Sequence, residues 1–177
     1  MNFNIVGAEP LSKSLDKIHR GIITDYENVN HINIEQFLTL QKDELIVFDI
    51  REKREYEVSH LEGAIQVDPD LDPEDFLLKY GEAIKEKTAI YYCSVGRRSS
   101  EFAAGVNQAS FNNKTIYKKT TYDNTTQSYN LVGGIFHWHN AEMPLVDDEK
   151  NTTAVHPYNF YWGRLIDNKS AISYQPK

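Results

Sequence analysis

Ala89-Ile90-Tyr91-Tyr92-Cys93-Ser94-Val95-Gly96-Arg97-Arg98-Ser99 holds the only cysteine of the chain and decides how the rest is read. An apolar β-type run, Ala89 to Tyr92, enters a glycine-bearing turn, which leads into a helix-forming segment, Ser99 to Phe111. A strand, a tight turn and a helix in that order aim backbone N–H groups and a helix N-terminus at one point. Here that point holds the Cys93 thiol. Beside Arg97 and Arg98, a thiolate so placed is expected to have a lowered pKa and to act as a nucleophile near neutral pH. A buried, inert cysteine is the simpler reading of a lone thiol, but it needs neither a glycine turn nor adjacent arginines.

Upstream, Leu45-Ile46-Val47-Phe48-Asp49 is a continuous apolar run ending in a carboxylate. It is too short for a helix and reads as a strand buried on both faces, as in a parallel sheet. Helices are expected between such strands. Leu11, Leu15, Ile18 and Ile22 fall on one helical face after Pro10. Asn33 with Gln36 reads as a capping box, and Glu52 to Ser59 as a brief polar helix. Gly63 to Val67 reads as a turn and a short strand. Asp72 and Pro73 suit the N-cap and first position of a helix carrying Phe76, Tyr80 and Ile84. After the cysteine turn, Phe102, Val106 and Ala109 make another stripe. Leu131-Val132-Gly133-Gly134-Ile135 reads as strand end, turn and helix start, with Trp138 on that helix.

This alternation predicts an α/β fold, with a mostly parallel central sheet flanked by helices on both faces. Ligands in such folds bind outside the carboxyl ends of the strands, where Asp49 and Cys93 are both expected. Residues 112–128 turn polar without a clear period, and a hairpin insertion or a mobile loop both fit. Tyr158, Phe160, Tyr161 and Trp162 make the tail too aromatic to be left in water. It is expected to fold back on the domain or pack against a partner subunit.

Composition narrows the function classes. The 177 residues, 40% hydrophobic, suffice for one domain with a sizeable core. With 19 Lys+Arg against 26 Asp+Glu, the net charge is −7, which argues against a nucleic-acid or anionic-membrane binder. An anionic ligand needs a local positive site, and Arg97-Arg98 is the candidate. One cysteine excludes an internal disulfide and a multi-cysteine zinc site. Neither a signal peptide nor a run of about 20 apolar residues is present, so a cytoplasmic location is expected.

Four segments, in order, resemble the rhodanese family of single-domain sulfurtransferases. They are Asp49-Ile50-Arg51-Glu52 with Glu55-Tyr56, then Ser59-His60-Leu61-Glu62-Gly63-Ala64-Ile65, the Cys93–Ser99 loop, and Asn130-Leu131-Val132-Gly133-Gly134-Ile135 with Trp138. Ser59 stands where the family usually has glycine. The resemblance covers about residues 29–145. It leaves out an N-terminal helical extension (1–28), the polar insertion (about 112–128) and an aromatic C-terminal extension (146–177), all taken as parts of one rhodanese-like domain.

The resemblance implies a rhodanese-like fold and a catalytic Cys93 that carries sulfur from a donor such as thiosulfate to cyanide, a thiol or a protein cysteine. Ser94, Val95, Gly96, Arg97, Arg98 and Ser99 would bind the anionic donor and persulfide, with Arg98 as the first choice for the donor's charge and Arg97 as the second. Asp49 and Arg51 would support the loop, and no metal or organic cofactor is implied. Phosphatases and arsenate reductases related to the family place an arginine six positions after the cysteine. Here Arg97 and Arg98 stand four and five on, and the sixth is Ser99. That shorter loop disfavours phosphoryl or arsenate chemistry. A binding or redox-sensing module without turnover stays open as an alternative. Glu55 suits a helix cap or an ion pair, and His60 a structural place. His137 and His139, at i and i+2 on a helix, point to different faces and make a poor metal pair.

Overall fold

In chain order the elements are α1 (Lys13–Asp25), β1 (Asn30–Ile32), α2 (Ile34–Thr39), β2 (Leu45–Asp49), α3 (Lys53–Val58), β3 (Ile65–Gln66), α4 (Pro73–Ile84), β4 (Thr88–Tyr92), α5 (Arg97–Tyr117), β5 (Ser128–Leu131), α6 (Gly134–Asn140), β6 (Leu145–Asp147) and β7 (Lys150–Thr152). They come from a computed structural model that describes residues 10–85, 87–117, 128–148 and 150–176. Strands β1 to β5 form one sheet in the order β1-β5-β4-β2-β3, and every pair in it is parallel. Strands β6 and β7 pair as a separate antiparallel hairpin.

Period-2 alternation explains why β2 and β4 are apolar throughout. Val47, Ile90 and Tyr92 enter a core cluster with Leu15 of α1, Ile34 of α2, and Ile135, Phe136 and Trp138 of α6. Phe48, Ala89 and Tyr91 face the other way, onto Phe76 and Leu77 of α4 and Phe102, Ala103 and Val106 of α5. Helices therefore cover both faces. On the second face Phe76 meets Phe48 and Phe102 edge-on at 5.0 and 5.1 Å. Each such contact adds about 0.5–1.5 kcal/mol beyond area burial.

The helix starts follow their caps. Asn33 accepts from the Gln36 N–H while the Gln36 side chain accepts from the Asn33 N–H. Asp72 caps α4, with Pro73 in its first turn. Helix α1 starts at Lys13 with Ser12 as N-cap, so Pro10 precedes the helix and does not open it. Helix α5 begins at Arg97, two residues before the expected start, and runs through residues 112–117 that composition left as insertion. Of the rest of that insertion, 118–127 lie outside the described residues and Ser128 opens β5.

The tail divides in two. Val155, Ile166 and Ala171 join the first core cluster, with Trp162 packed against it. Phe160 and Tyr161, by contrast, remain 70% and 73% exposed. The Arg164 guanidinium lies 5.3 and 5.6 Å from their rings, which gives both a local partner at the surface. No helix among the described residues is long and apolar enough to cross a membrane.

Candidate active site

The β2–β4 register sets the site. Asp49 stands opposite Tyr92, so the carboxylate that ends β2 lies beside the residue preceding Cys93. The Tyr92 hydroxyl donates to Asp49 Oδ2 at 2.6 Å and accepts from the Leu61 N–H at 3.1 Å. Arg51 donates to both Asp49 oxygens at 2.8 and 2.5 Å and to the Ser59 carbonyl at 2.7 Å. Both side chains are fully buried. Burial works against the charged guanidinium, but the charge and hydrogen bonds of Asp49 outweigh it and hold the Arg51 pKa above its ordinary value. The pair ties the ends of β2 and β4 to the turn after α3, and offers no face to solvent.

Cys93 sits one residue past β4 and is 1% exposed. The Gly96 N–H donates to its Sγ at 3.2 Å. Gly96 holds φ +97°, and a Cβ there would also lie 3.0 Å from Asn130 Nδ2, so only glycine fits. The other side of the loop is fixed by α6. Cys93 and Ser94 carbonyls accept from the Ile135 and Phe136 N–H groups at 2.9 and 3.1 Å. Gly134 permits that approach, with φ +55° and no Cβ where one would stand 2.3 Å from the Cys93 carbonyl. Ser99 donates to Asn130 Oδ1 at 2.5 Å, and Ser100 to the Gly96 carbonyl at 2.8 Å. Val95, like Ser94, is buried at 5% exposure.

The two arginines diverge. Arg98 reaches Glu55 through two hydrogen bonds, Nη1 to Oε2 at 2.8 Å and Nη2 to Oε1 at 2.9 Å. Its Nη2 also contacts Ser94 Oγ at 3.0 Å, and Ser94 donates to Glu55 Oε1 at 3.1 Å. Burial works against the Arg98 charge, but the hydrogen bonds and charge of Glu55 reverse the shift and raise its pKa. Burial likewise opposes the Glu55 carboxylate, and the bonds and charge of Arg98 still bring its pKa below the ordinary range. Arg97 points to α1, where it pairs with Asp25 at 2.8 Å and lies over Tyr26. The structure therefore brings Cys93, Ser94, Gly96 and Arg98 together and leaves Arg97 on the outer surface.

Glu55 is fully buried and forms the α3 capping box with Glu52, so it is both cap and ion-pair partner. Its pairing with Arg98, 43 residues away, had no signal in the local sequence. Tyr158 reads in the sequence only as part of the aromatic tail, with no signal for its place over Arg98. Its ring covers the Arg98 guanidinium at 4.7 Å, and both residues line a cavity of about 530 Å³ with Glu52, Lys53, Gln66, Asp68 and Asp70. Tyr158 holds φ +62°, a left-handed conformation costing a bulky residue about 1–2 kcal/mol. His60 stacks on Tyr56 and its Nδ1 meets the Tyr56 carbonyl at 3.1 Å. His137 is buried, whereas His139 Nε2 meets the Thr153 carbonyl at 3.2 Å.

Known proteins share the fold of this chain. The family model described as "Rhodanese-like domain" matches residues 33–141. A protein named thiosulfate sulfurtransferase GlpE, from Coxiella burnetii (strain RSA 331 / Henzerling II), is 26% identical over 127 residues. That match covers 71% of this chain and 98% of the relative. Among solved structures, the BH2092 protein of Bacillus halodurans superposes with a TM-score of 0.50 at 19% identity, covering 74% of this chain and 85% of that one. A thiosulfate sulfurtransferase from Pseudomonas aeruginosa gives 0.52 at 16% identity, covering 92% of this chain and 28% of its own. These two structures show a common fold. With the family match spanning more than half of its length, the chain belongs to the rhodanese-like domain family.

Proposed function

We propose that this chain is a sulfurtransferase in which Cys93 carries sulfur as a persulfide. The Cys93 thiolate attacks the outer sulfur of a donor such as thiosulfate. A Cys93 S–S bond forms while the donor S–S bond breaks, and sulfite leaves with the bonding pair. This is covalent catalysis by a thiol nucleophile. The Gly96 N–H, already donating to Sγ, is placed to hold the anionic sulfur. Arg98 attracts the donor and offsets charge on the departing sulfite, and Arg97, held by Asp25, stays outside this role. Ser94, Val95 and Ser99 contribute loop backbone, and Asp49 with Arg51 braces it. Cyanide or a thiol then takes the outer sulfur and regenerates the Cys93 thiolate. With no second cysteine the chain needs an external acceptor. A reducing, cytoplasmic setting suits a working free thiol. We place the working core at about 29–145, with the segments on either side as extensions of one domain.

The observation that carries this reading is the loop conformation, with the Gly96 N–H on Sγ and Arg98 bonded to Ser94 of the same loop. Thiocyanate formation from thiosulfate and cyanide tests it, with hydrolysis of a phosphate ester measured in parallel. Wild type is expected to form thiocyanate and leave the ester intact, and Cys93→Ser to form none. The 1% exposure of Cys93 favours a second reading, a binding module without turnover, and counts against redox sensing, which needs an accessible thiol. Ligand binding retained in Cys93→Ser, with no thiocyanate from wild type, would support that reading instead.

A further inference from the structure

Arg98 is held from two directions. In its plane, Glu55 and Ser94 occupy part of the guanidinium edge and leave Nε–H and one Nη1–H without a partner among the described residues. Over its face stands Tyr158, at 4.7 Å, the closest cation–π contact among the described residues. Glu55 lies inside the family-matched segment, and Tyr158 lies beyond it.

The strap that carries Tyr158 is anchored on both sides. Val155 is fully buried and pairs with Ile172 as a parallel bridge. His156 is 2% exposed, packs edge-on against Tyr174, and accepts the Tyr158 N–H on Nδ1 at 3.0 Å. Pro157 packs against Gly163, where an added Cβ would lie 3.0 Å from it. These contacts hold Tyr158 in its left-handed conformation, so the ring is pinned over Arg98 by a strained residue in a fixed frame. An otherwise unconstrained tail residue would have relaxed.

We propose that Tyr158 is a positioning residue for Arg98 in the sulfur-donor site, so that the C-terminal extension is a working part of that site. The inference rests on the sulfurtransferase reading above. The ring blocks one face of the guanidinium and stops it from turning about the Glu55 contact. Arg98 is thereby held in one orientation at the cavity that it and Tyr158 line with Lys53 and Gln66 and with the carboxylates of Glu52, Asp68 and Asp70. A dianionic donor meets an oriented guanidinium and need not order a mobile side chain.

The test compares Tyr158→Asn, which tolerates positive φ but has no ring, with Tyr158→Phe, which keeps the ring and drops the hydroxyl. Both are measured in the full chain for thiocyanate formation and for the Arg98 Nε–H resonance. Tyr158→Asn is expected to raise KM for thiosulfate about five- to tenfold with kcat within about twofold, the size of a partly exposed cation–π contact. Its Arg98 resonance loses the ring-current shift. Tyr158→Phe is expected to match wild type in both. An unchanged KM in Tyr158→Asn, or equal impairment in Tyr158→Phe, overturns the proposal while sulfur loading in wild type still stands. If wild type takes no sulfur from thiosulfate, the underlying reading fails and this role falls with it.

Discussion

Arg98 and Glu55 meet through two parallel hydrogen bonds, with the carboxylate fully buried and the arginine side chain 25% exposed. The pair fixes the only loop arginine that stays with Cys93, and joins α3 to the first turn of α5. Glu55→Gln keeps the shape but leaves the Arg98 charge largely uncompensated. A loss of about 2–3 kcal/mol in urea unfolding is expected, together with at least a tenfold fall in sulfur transfer. The Glu55 pKa lies below its ordinary 4.5, so its contribution is complete above that value and is lost as pH falls through the lower folded pKa. Acid unfolding curves of the variant should lack that part of the decline.

Gly134 makes a second prediction. An alanine Cβ there would meet the Cys93 carbonyl at 2.3 Å, on a residue that already needs φ +55°. Backbone must move on one side or the other, and the two hydrogen bonds from α6 to the loop are the first to break. Gly134→Ala is expected to cost about 3 kcal/mol and to lower activity by more than its effect on the folded fraction. Parallel unfolding and thiocyanate assays separate the two effects.

His31 sets a different pH response. It packs edge-on against His19 at 5.0 Å and faces Asn130, which touches the cysteine loop. Burial first, and then the neighbouring His19, push its pKa from 6.5 down to about 4. Between those values the unfolded chain binds a proton that the folded chain refuses. Stability is therefore complete above about 6.5 and falls as pH drops toward 4. After allowance for partial exposure, about 2 kcal/mol is lost across that window. Replacing His31 by Gln should flatten that part of the stability profile, and urea melts at pH 7 and pH 4.5 measure it.

Elements with a local cause were legible in the sequence. Asn33 with Gln36, Asp72 with Pro73, and the apolar runs before Asp49 and Cys93 each carry their own chemistry, and each stands where it was read. What escaped was long-range or rotational. Arg97 and Arg98 are neighbours in sequence, but on a helix successive side chains turn by about 100°. One therefore faces Glu55 and the other Asp25. Glu55 read as a cap or ion-pair partner without a named mate, since the mate lies on another element. Tyr158 reads only as part of an aromatic tail that should not be left in water, which says nothing of which cation it covers. Phe160 and Tyr161 stay exposed on this chain, beside the Arg164 guanidinium.

The central claim is that Cys93 carries sulfur. Intact-protein mass spectrometry of wild type and Cys93→Ser, after thiosulfate and then after cyanide, tests it most directly. The account predicts a gain of one sulfur, about 32 Da, in wild type only, removed by cyanide. A folded wild-type protein with a reduced thiol that gains no mass from thiosulfate, or a Cys93→Ser variant that gains the same mass, would contradict it.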